Sequence, residues 1–239
     1  PFQSGNKQSA HCIFEHIYFA RPDSILEGQL AYTSRAKMGA LLAREHPADA
    51  DVVIAVPDSA NAAAIGFAKE SNTPYAEGLV KNRYVGRTFI QPDQRFRELG
   101  VRNKFNPLPE VLSGKKVVVV DDSIVRGTTT PHVVALLRKA GALEVHVRVC
   151  APPLISPCHF GVDMARKSEL LAANRSLEEI RDFIGADSIG YLSLEGLDKA
   201  VNNRDEIERG FCNACFSADY PMPVQLEMDK LALEVSPED

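Results

Sequence analysis

Four consecutive valines, Val117–Val120, limit the fold of this sequence more than any other segment. A continuous β-branched run indicates a strand that is buried on both faces, as in a parallel sheet. Two aspartates and a polar turn follow, and apolar residues at i, i+3, i+4 and i+7 then predict a helix over residues 131–140. Thr130 is a candidate cap for this helix, Pro131 suits its first position and Gly141 can end it. The segment is therefore expected to form a strand, a turn and a helix.

A second segment of the same kind begins at residue 51. The apolar run 51–56 has the length of a strand, the turn Pro57-Asp58-Ser59 follows it, and the alanine-rich residues 60–69 predict a helix. A further strand is predicted over 143–149, and further helices over 29–45, 177–184 and 195–201. Buried strands that alternate with helices predict an α/β fold, with a mainly parallel sheet and helices on both faces. Such sheets bind ligands at the carboxyl ends of their strands, where both polar turns fall.

Composition argues against several classes of function. The 239 residues carry a formal charge of -5, and no block of Lys or Arg offers a footprint for nucleic acid. No apolar run approaches the ~20 residues that span a bilayer, and the polar residues 1–10 do not resemble a signal peptide. Five cysteines, an odd number, favour a reducing compartment in a chain long enough to bury its own core. We therefore expect a cytoplasmic protein with neither a nucleic acid nor a membrane partner.

The turn after the valines has the chemistry of an anion site. A buried strand delivers Asp121 and Asp122 to the sheet edge, and their side chains are expected to point in different directions because strand residues alternate between faces. A Gly- and Thr-containing turn then opens a helix, whose free N–H groups and dipole suit a phosphate monoester. The alternative is an ordinary strand-to-helix turn with solvated carboxylates.

The string DDSIVRGTT over residues 121–129 resembles the fingerprint of type I phosphoribosyltransferases, and specifically that of the glutamine phosphoribosylpyrophosphate amidotransferase family. The resemblance implies the type I phosphoribosyltransferase fold with a flexible catalytic loop. It also implies that the acidic pair contacts the ribose hydroxyls and Mg²⁺ while the turn holds the 5-phosphate. The turn at residues 57–59 resembles the pyrophosphate loop of the family, although a Pro-Asp-Ser turn taken alone favours a structural role. The residues implied to bind substrate are Pro57, Asp58, Ser59, Asp121, Asp122, Ser123, Arg126, Gly127, Thr128 and Thr129, and those implied to bind magnesium are Ser59, Asp121 and Asp122.

The segment 81–107 is rich in Lys and Arg and has little periodicity, which favours a lid over a core element. It resembles the catalytic loop of the family, and the resemblance implies that Lys81, Tyr84, Arg87 and Lys104 close over the pyrophosphate. Mobile cations would stabilise the negative charge that accumulates on this leaving group. A solvated basic loop is the alternative.

The cysteine pair Cys212 and Cys215 is by itself weak support for a metal site, because no second pair or histidine lies at short spacing. The sequences around Cys12, Cys158 and this pair resemble the four ligands of the iron–sulfur branch of the family, which implies a structural [4Fe-4S] cluster. Zinc in the same site and four free thiols remain alternatives. Cys150 is expected to be a core thiol.

The resemblance divides the chain into a linker remnant at 1–11, a phosphoribosyltransferase domain at 12–203 and a Cys-containing extension at 204–239. It implies the synthase half of amidophosphoribosyltransferase, which forms 5-phosphoribosylamine and pyrophosphate from phosphoribosyl pyrophosphate and ammonia, the first step of de novo purine synthesis. Residue 1 is proline rather than a cysteine nucleophile, so the glutaminase domain is expected to be missing or separate. The family also implies a homotetramer and purine nucleotide inhibitors.

Three alternatives to this function remain. The chain could be a nucleobase phosphoribosyltransferase, a purine regulator that binds phosphoribosyl pyrophosphate without catalysis, or a structural or regulatory remnant. A base-binding hood would mark the first alternative and a DNA-binding domain with a basic face the second. Ammonia-dependent pyrophosphate release would separate the third from the enzyme.

Overall fold

The computed structural model describes residues 10–82, 104–164, 166–202 and 210–224. Its strands are β1 (His11–Cys12), β2 (Ile25–Leu26), β3 (Gln29–Leu30), β4 (Val52–Ala55), β5 (Leu79–Lys81), β6 (Phe105–Pro107), β7 (Lys116–Asp121), β8 (Glu144–Val149), β9 (Ser188–Tyr191) and β10 (Phe211–Cys212). Its α-helices are α1 (Ala31–Glu45), α2 (Asn61–Ser71), α3 (Pro109–Leu112), α4 (Thr130–Lys139), α5 (Leu171–Asn174), α6 (Leu177–Ile184), α7 (Leu194–Val201) and α8 (Ala214–Ser217). A π-helical turn covers Glu15–Phe19 and a 3₁₀ turn covers Lys167–Glu169.

The central sheet has the strand order β4-β7-β8-β9, and every neighbouring pair in it is parallel. The valine run lies on β7, an inner strand that pairs with β4 on one side and with β8 on the other. An inner strand of a covered sheet buries both faces, which is why its sequence is continuously apolar rather than alternating. The predicted parallel sheet is confirmed.

Helices cover both faces of this sheet. Val118 and Val120 of β7 face a core built from α1, α2 and α7, together with the segments around Ile13 and Phe216. Val117 and Val119 face a second core that includes α4 and α6. The α/β architecture predicted from the alternation of strands and helices is therefore confirmed.

Most predicted boundaries agree with the structure to within two residues, and the helix over 177–184 agrees at both ends. The helix predicted from residue 29 begins instead at Ala31, because Gln29–Leu30 pair with Ile25–Leu26 as antiparallel strands. Thr130 does not cap α4, so that prediction was wrong. Thr130 is the first residue of that helix, and the preceding Thr129 has helical dihedral angles and makes no capping hydrogen bond through its side chain.

Two small strand pairs join distant parts of the chain. β1 and β10 pair in parallel and bring residues 11–12 beside 211–212. β5 and β6 pair in antiparallel fashion and join the two ends of the segment 81–107. No helix among the described residues has both the length and the apolar character needed to cross a membrane.

Candidate functional site

Asp121 and Asp122 lie at the carboxyl end of β7, and both are buried, with 8% and 9% of their surface exposed. The backbone N–H of Asp122 donates to Asp121 Oδ1 over 2.9 Å, whereas the hydroxyl of Ser123 donates to Asp122 Oδ1 over 2.7 Å. The carbonyls of the two aspartates accept the N–H groups of Cys150 and Ala151, so sheet pairing fixes the backbone of the pair. The two carboxylates have different partners, as expected for side chains that point in different directions.

Burial is the largest influence on the ionisation of both carboxyl groups of the pair. Burial raises the pKa of Asp121 well above its ordinary value, and the charge of Asp122 raises it further. Burial also raises the pKa of Asp122, although hydrogen bonds from Ser123 and Ser59 and the charges of Arg35 and Lys104 oppose that shift. Neither carboxylate forms an ion pair with a described residue. The pair therefore favours a ligand that brings positive charge or hydrogen-bond donors.

The turn 123–129 runs from the acidic pair to the start of α4. Gly127 has φ +69°, and a Cβ atom on it would meet Leu171 Cδ2 at 2.8 Å, so only glycine fits there without strain. The N–H of Leu171 donates to the carbonyl of Val125, and Arg126 binds the carboxylate of Glu169. The turn is thus held in shape by the segment 167–171. Ser123 begins the turn next to Asp122, and Thr128 and Thr129 directly precede a ten-residue helix.

The turn at residues 57–59 follows β4, the strand next to β7, so both predicted turns lie at the same edge of the sheet. The hydroxyl of Ser59 lowers the pKa of Asp122 through hydrogen bonding, which brings the two turns close together. The peptide bond between Pro57 and Asp58 is cis. Asp58 accepts a 2.8 Å salt bridge from Lys81 Nζ.

The ends of the predicted lid lie beside this edge. Lys81 ends β5, and Lys104 precedes β6 with its Nζ 5.2 Å from the centroid of the Phe105 ring. The charge of Lys104 lowers the pKa of both Asp121 and Asp122, so this lysine is close to the acidic pair. Tyr84 and Arg87, the other two predicted lid residues, lie outside the described residues.

Four cysteines gather at the other candidate site. Cys12 and Cys212 are partners in the register of β1 and β10, and together with Cys158 they line a cavity of about 1040 Å³. Cys215 is buried next to them, and burial followed by the charges of Cys12, Cys212 and Cys158 raises its pKa to about 12. Burial likewise raises the pKa of Cys12. The structure therefore brings together the four cysteines that the sequence singled out, while Cys150 is buried in the core.

A site for one metal ion would need a cluster of three or more potential ligands. Among the residues that the structure describes, no three His, Cys, Asp or Glu side chains converge closely enough to hold one metal ion. All five cysteines are free thiols. This arrangement does not match a preformed zinc site, in which ligands converge within about 2.3 Å of one point.

Sequence reasoning missed two charged residues, one that contacts the turn 123–129 and one that influences Asp122. Glu169 binds Arg126 from 43 residues away, and no local pattern marks it. Arg35 is buried on α1 and donates to the carbonyls of His16 and Ala20, and its charge lowers the pKa of Asp122. The sequence offered one signal for Arg35, which is its position on the apolar face of a predicted helix. A buried arginine needs buried hydrogen-bond acceptors.

Comparisons with known proteins agree with the geometry. No family model matches the chain. The amidophosphoribosyltransferase of Methanocaldococcus jannaschii is 56% identical over 219 residues, which are 92% of this chain and 45% of that protein. The solved structure of glutamine phosphoribosylpyrophosphate amidotransferase from B. subtilis, complexed with ADP and GMP, is 49% identical with a TM-score of 0.82, over 92% of this chain and 49% of that one. A structure described as the allosteric regulatory enzyme of purine biosynthesis is 48% identical with a TM-score of 0.84, over 94% of this chain and 48% of that one.

The sheet, its two turns and these structural neighbours define the type I phosphoribosyltransferase fold. The chain spans about half the length of the curated relatives that it matches. Within that span the sequence identity is above 50% to several amidophosphoribosyltransferases, and the chain belongs to the amidophosphoribosyltransferase family.

Proposed function

We propose that this chain binds phosphoribosyl pyrophosphate and transfers its phosphoribosyl group to ammonia. The products are 5-phosphoribosylamine and pyrophosphate, the first step of de novo purine synthesis. The observation that carries the proposal is the buried pair Asp121 and Asp122, which lies between the turn 123–129 and the turn 57–59 at one edge of a parallel sheet. The relatives, which are named amidophosphoribosyltransferases, support the same activity.

The turn 123–129 is assigned to the 5-phosphate. Its N–H groups lie at the start of α4, where the helix dipole favours an anion. Ser123, Thr128 and Thr129 add hydroxyls, Arg126 adds charge, and Gly127 permits the close backbone approach. The acidic pair, which immediately precedes this turn at the end of β7, is assigned to the ribose hydroxyls, because carboxylates are good hydrogen-bond acceptors for hydroxyl groups.

The acidic pair with Ser59 fits Mg²⁺. The donors are hard oxygen atoms, which magnesium prefers, and the carboxylates are buried without a paired cation among the described residues. Ser59, Asp121 and Asp122 would hold the ion, directly or through its water ligands. When bound, magnesium supplies charge that neutralises the pyrophosphate.

The residues of the chain perform the remaining chemistry by positioning and charge. In the transfer, the bond between ribose C1 and the pyrophosphate oxygen breaks, the bond between C1 and the ammonia nitrogen forms, and the nitrogen loses a proton. Charge accumulates on the pyrophosphate as C1 becomes cation-like, so Lys81 and Lys104 stabilise the transition state from the side of the turn 57–59. Tyr84 and Arg87 complete the proposed lid, which would exclude water and so favour ammonia over hydrolysis.

The cysteine cavity fits a [4Fe-4S] cluster. Each iron of such a cluster takes one thiolate, so its four ligands surround a volume rather than a point. Cys12, Cys158 and Cys212 line a cavity, and the nearby Cys215 has a raised pKa that a cationic cluster would reverse. The cluster would have a structural role, because it would tie β1 and β10 to the segment around Cys158.

The remaining proposals concern the domain boundaries, the inhibitors, the oligomeric state and the location of the protein. We assign residues 12–203 to the domain, 1–11 to a linker and 204–239 to an extension, whose described part packs on the core through Cys215 and Phe216. The relative solved with ADP and GMP supports purine nucleotides as inhibitors. A homotetramer and a cytoplasmic location complete the proposal.

The assay that tests the proposal is pyrophosphate release from phosphoribosyl pyrophosphate with ammonium chloride and Mg²⁺. We expect release that depends on both ammonia and magnesium. Binding of the substrate without ammonia-dependent release would instead favour a regulator that has lost catalysis.

A further inference from the structure

Arg126 is paired with one carboxylate in a defined geometry. Its Nε lies 2.8 Å and its Nη2 lies 2.7 Å from the same oxygen, Oε2 of Glu169. A guanidinium has five N–H donors in one plane, so this pairing leaves Nη1 and one donor of Nη2 for another acceptor. No other acceptor binds Arg126 among the residues that the structure describes.

Glu169 belongs to a segment that is fixed against the turn 123–129. The N–H of Leu171 donates to the carbonyl of Val125 over 2.9 Å, and the side chain of Leu171 packs against the Cα face of Gly127. Contacts are therefore made to three consecutive turn residues, 125, 126 and 127. The carboxylate that holds Arg126 is part of this support.

The segment itself has a closed local structure. The amide of Asn174 donates to the carbonyls of Lys167 and Leu170 over 2.9 and 2.8 Å. These two bonds join the 3₁₀ turn that carries Glu169 to the helix α5. Glu169 is thus presented to Arg126 from a fixed backbone rather than from a free loop.

We infer that Glu169 is a positioning residue, which orients the guanidinium of Arg126 so that its unpaired edge faces the 5-phosphate. The inference rests on the proposed function, because it takes the turn 123–129 as the 5-phosphate site. A guanidinium held in one orientation can bind phosphate through two parallel hydrogen bonds. An arginine that rotates freely must first be ordered, which costs side-chain entropy on binding.

An opposite role for the same contact would have the opposite effect. If Glu169 merely competed with the phosphate for Arg126, its removal would free the cation and remove a negative charge near the ligand. Affinity for a 5-phosphate would then rise. Orientation and competition therefore predict changes of opposite sign.

The test uses ribose 5-phosphate and pyrophosphate as separate probes in calorimetric titrations with Mg²⁺. For Glu169→Ala we expect the Kd of ribose 5-phosphate to rise about tenfold, with the Kd of pyrophosphate unchanged. Glu169→Gln keeps an acceptor oxygen at the same reach and should recover most of the affinity. In an Arg126→Ala background, Glu169→Ala should have no further effect, because its action passes through Arg126.

The kinetic readout separates positioning from catalysis. In the pyrophosphate-release assay, Glu169→Ala should raise KM for phosphoribosyl pyrophosphate by a similar factor and leave kcat nearly unchanged. Glu70→Ala is the matched control, because Glu70 also binds an arginine, Arg44, through its Nε and Nη2, but does so between α1 and α2. That variant should leave both Kd values and KM unaltered.

Three results would overturn the inference. The first is a Glu169→Ala variant that binds ribose 5-phosphate as tightly as the wild type or more tightly. The second is an equal loss for both probes, which would indicate a general structural defect, and the third is a Glu169→Gln variant as weak as Glu169→Ala. A wild type that binds pyrophosphate but not ribose 5-phosphate would instead refute the proposed phosphate site, and the inference would fail with it.

Discussion

Asp121 Oδ1 accepts a hydrogen bond from the backbone N–H of Asp122. The carboxyl group of Asp122 is therefore not the partner of this oxygen. The two side chains therefore do not form a dyad that shares a proton through this oxygen. Each carboxylate is available for a separate ligand contact on the same buried edge of β7.

Replacement of the Asp121 carboxylate should have opposite effects on stability and on ligand binding. Asp121→Asn is expected to raise the melting temperature at neutral pH, because it removes a charge that burial disfavours, and to weaken binding of phosphoribosyl pyrophosphate with Mg²⁺ by about a hundredfold or more. Thermal melts and calorimetric titration of the same preparations would measure both effects. A variant that loses stability and keeps its affinity would contradict the assignment.

The same shift predicts the direction of a pH effect. The pKa of Asp121 in the folded protein is raised above its ordinary value of 3.8, so the folded state binds the proton more tightly than the unfolded state. Its contribution to the free energy of unfolding therefore falls as pH rises from 3.8 to the raised folded pKa, and stays low above it. The gain in melting temperature of Asp121→Asn over the wild type should be larger at about pH 8 than at about pH 4. An equal gain at both pH values would contradict this prediction.

Gly127 should not tolerate a side chain. Gly127→Ala combines a left-handed backbone, which costs about 1–2 kcal/mol, with a Cβ contact of 2.8 Å to Leu171 Cδ2. We expect a larger loss of stability than from backbone strain alone and a clear loss of affinity for ribose 5-phosphate. Gly114→Ala is the matched control, since Gly114 has φ +72° and a Cβ atom added there would meet no heavy atom within 4 Å. Equal losses of stability in the two variants would show that the contact with Leu171 has no effect.

Lys81 should act on the leaving group. Lys81→Ala is expected to lower the rate of ammonia-dependent pyrophosphate release roughly a hundredfold, the effect of removing one group that stabilises developing charge. Affinity for ribose 5-phosphate should hardly change, because Lys81 pairs with Asp58 in the turn assigned to pyrophosphate. Lys116→Ala is the control, because that side chain is equally exposed, at 37%, but pairs with Asp49 and Glu144 at the start of β7. Similar rates for the two variants would argue against a role for Lys81 in the transfer.

The cysteine site can be tested with two alanine variants of buried thiols. Cys215→Ala removes a proposed ligand and should abolish most of the iron content and visible absorption of protein purified without oxygen. Cys150→Ala removes a core thiol that follows β8 and does not line the cavity, and it should retain both signals. Zinc in place of iron in the wild type would favour the zinc alternative, and neither metal would favour free thiols.

Local sequence patterns predicted the elements that depend on neighbouring residues. The buried run of β7 and the helical pattern of residues 177–184 both depend on residues close in sequence, and the strand and α6 appear where they were expected. Long-range contacts were not predictable in this way. The pairing of Arg126 with Glu169 and the register of Cys12 with Cys212 are set by the folded sheet, and Gln29 joined a strand rather than α1 because residues 25–26 offered it a partner.

In the proposed function, one sheet edge binds an activated, phosphorylated ribose with the help of magnesium. Calorimetric titration of the folded chain with phosphoribosyl pyrophosphate, with and without Mg²⁺, tests it most directly. We predict saturable binding that requires magnesium. Ribose 5-phosphate and pyrophosphate should each compete with the substrate, and Asp121→Asn should largely abolish the binding. Absence of binding by correctly folded protein, or binding that magnesium and Asp121 do not affect, would refute a magnesium-assisted ribose site at this sheet edge.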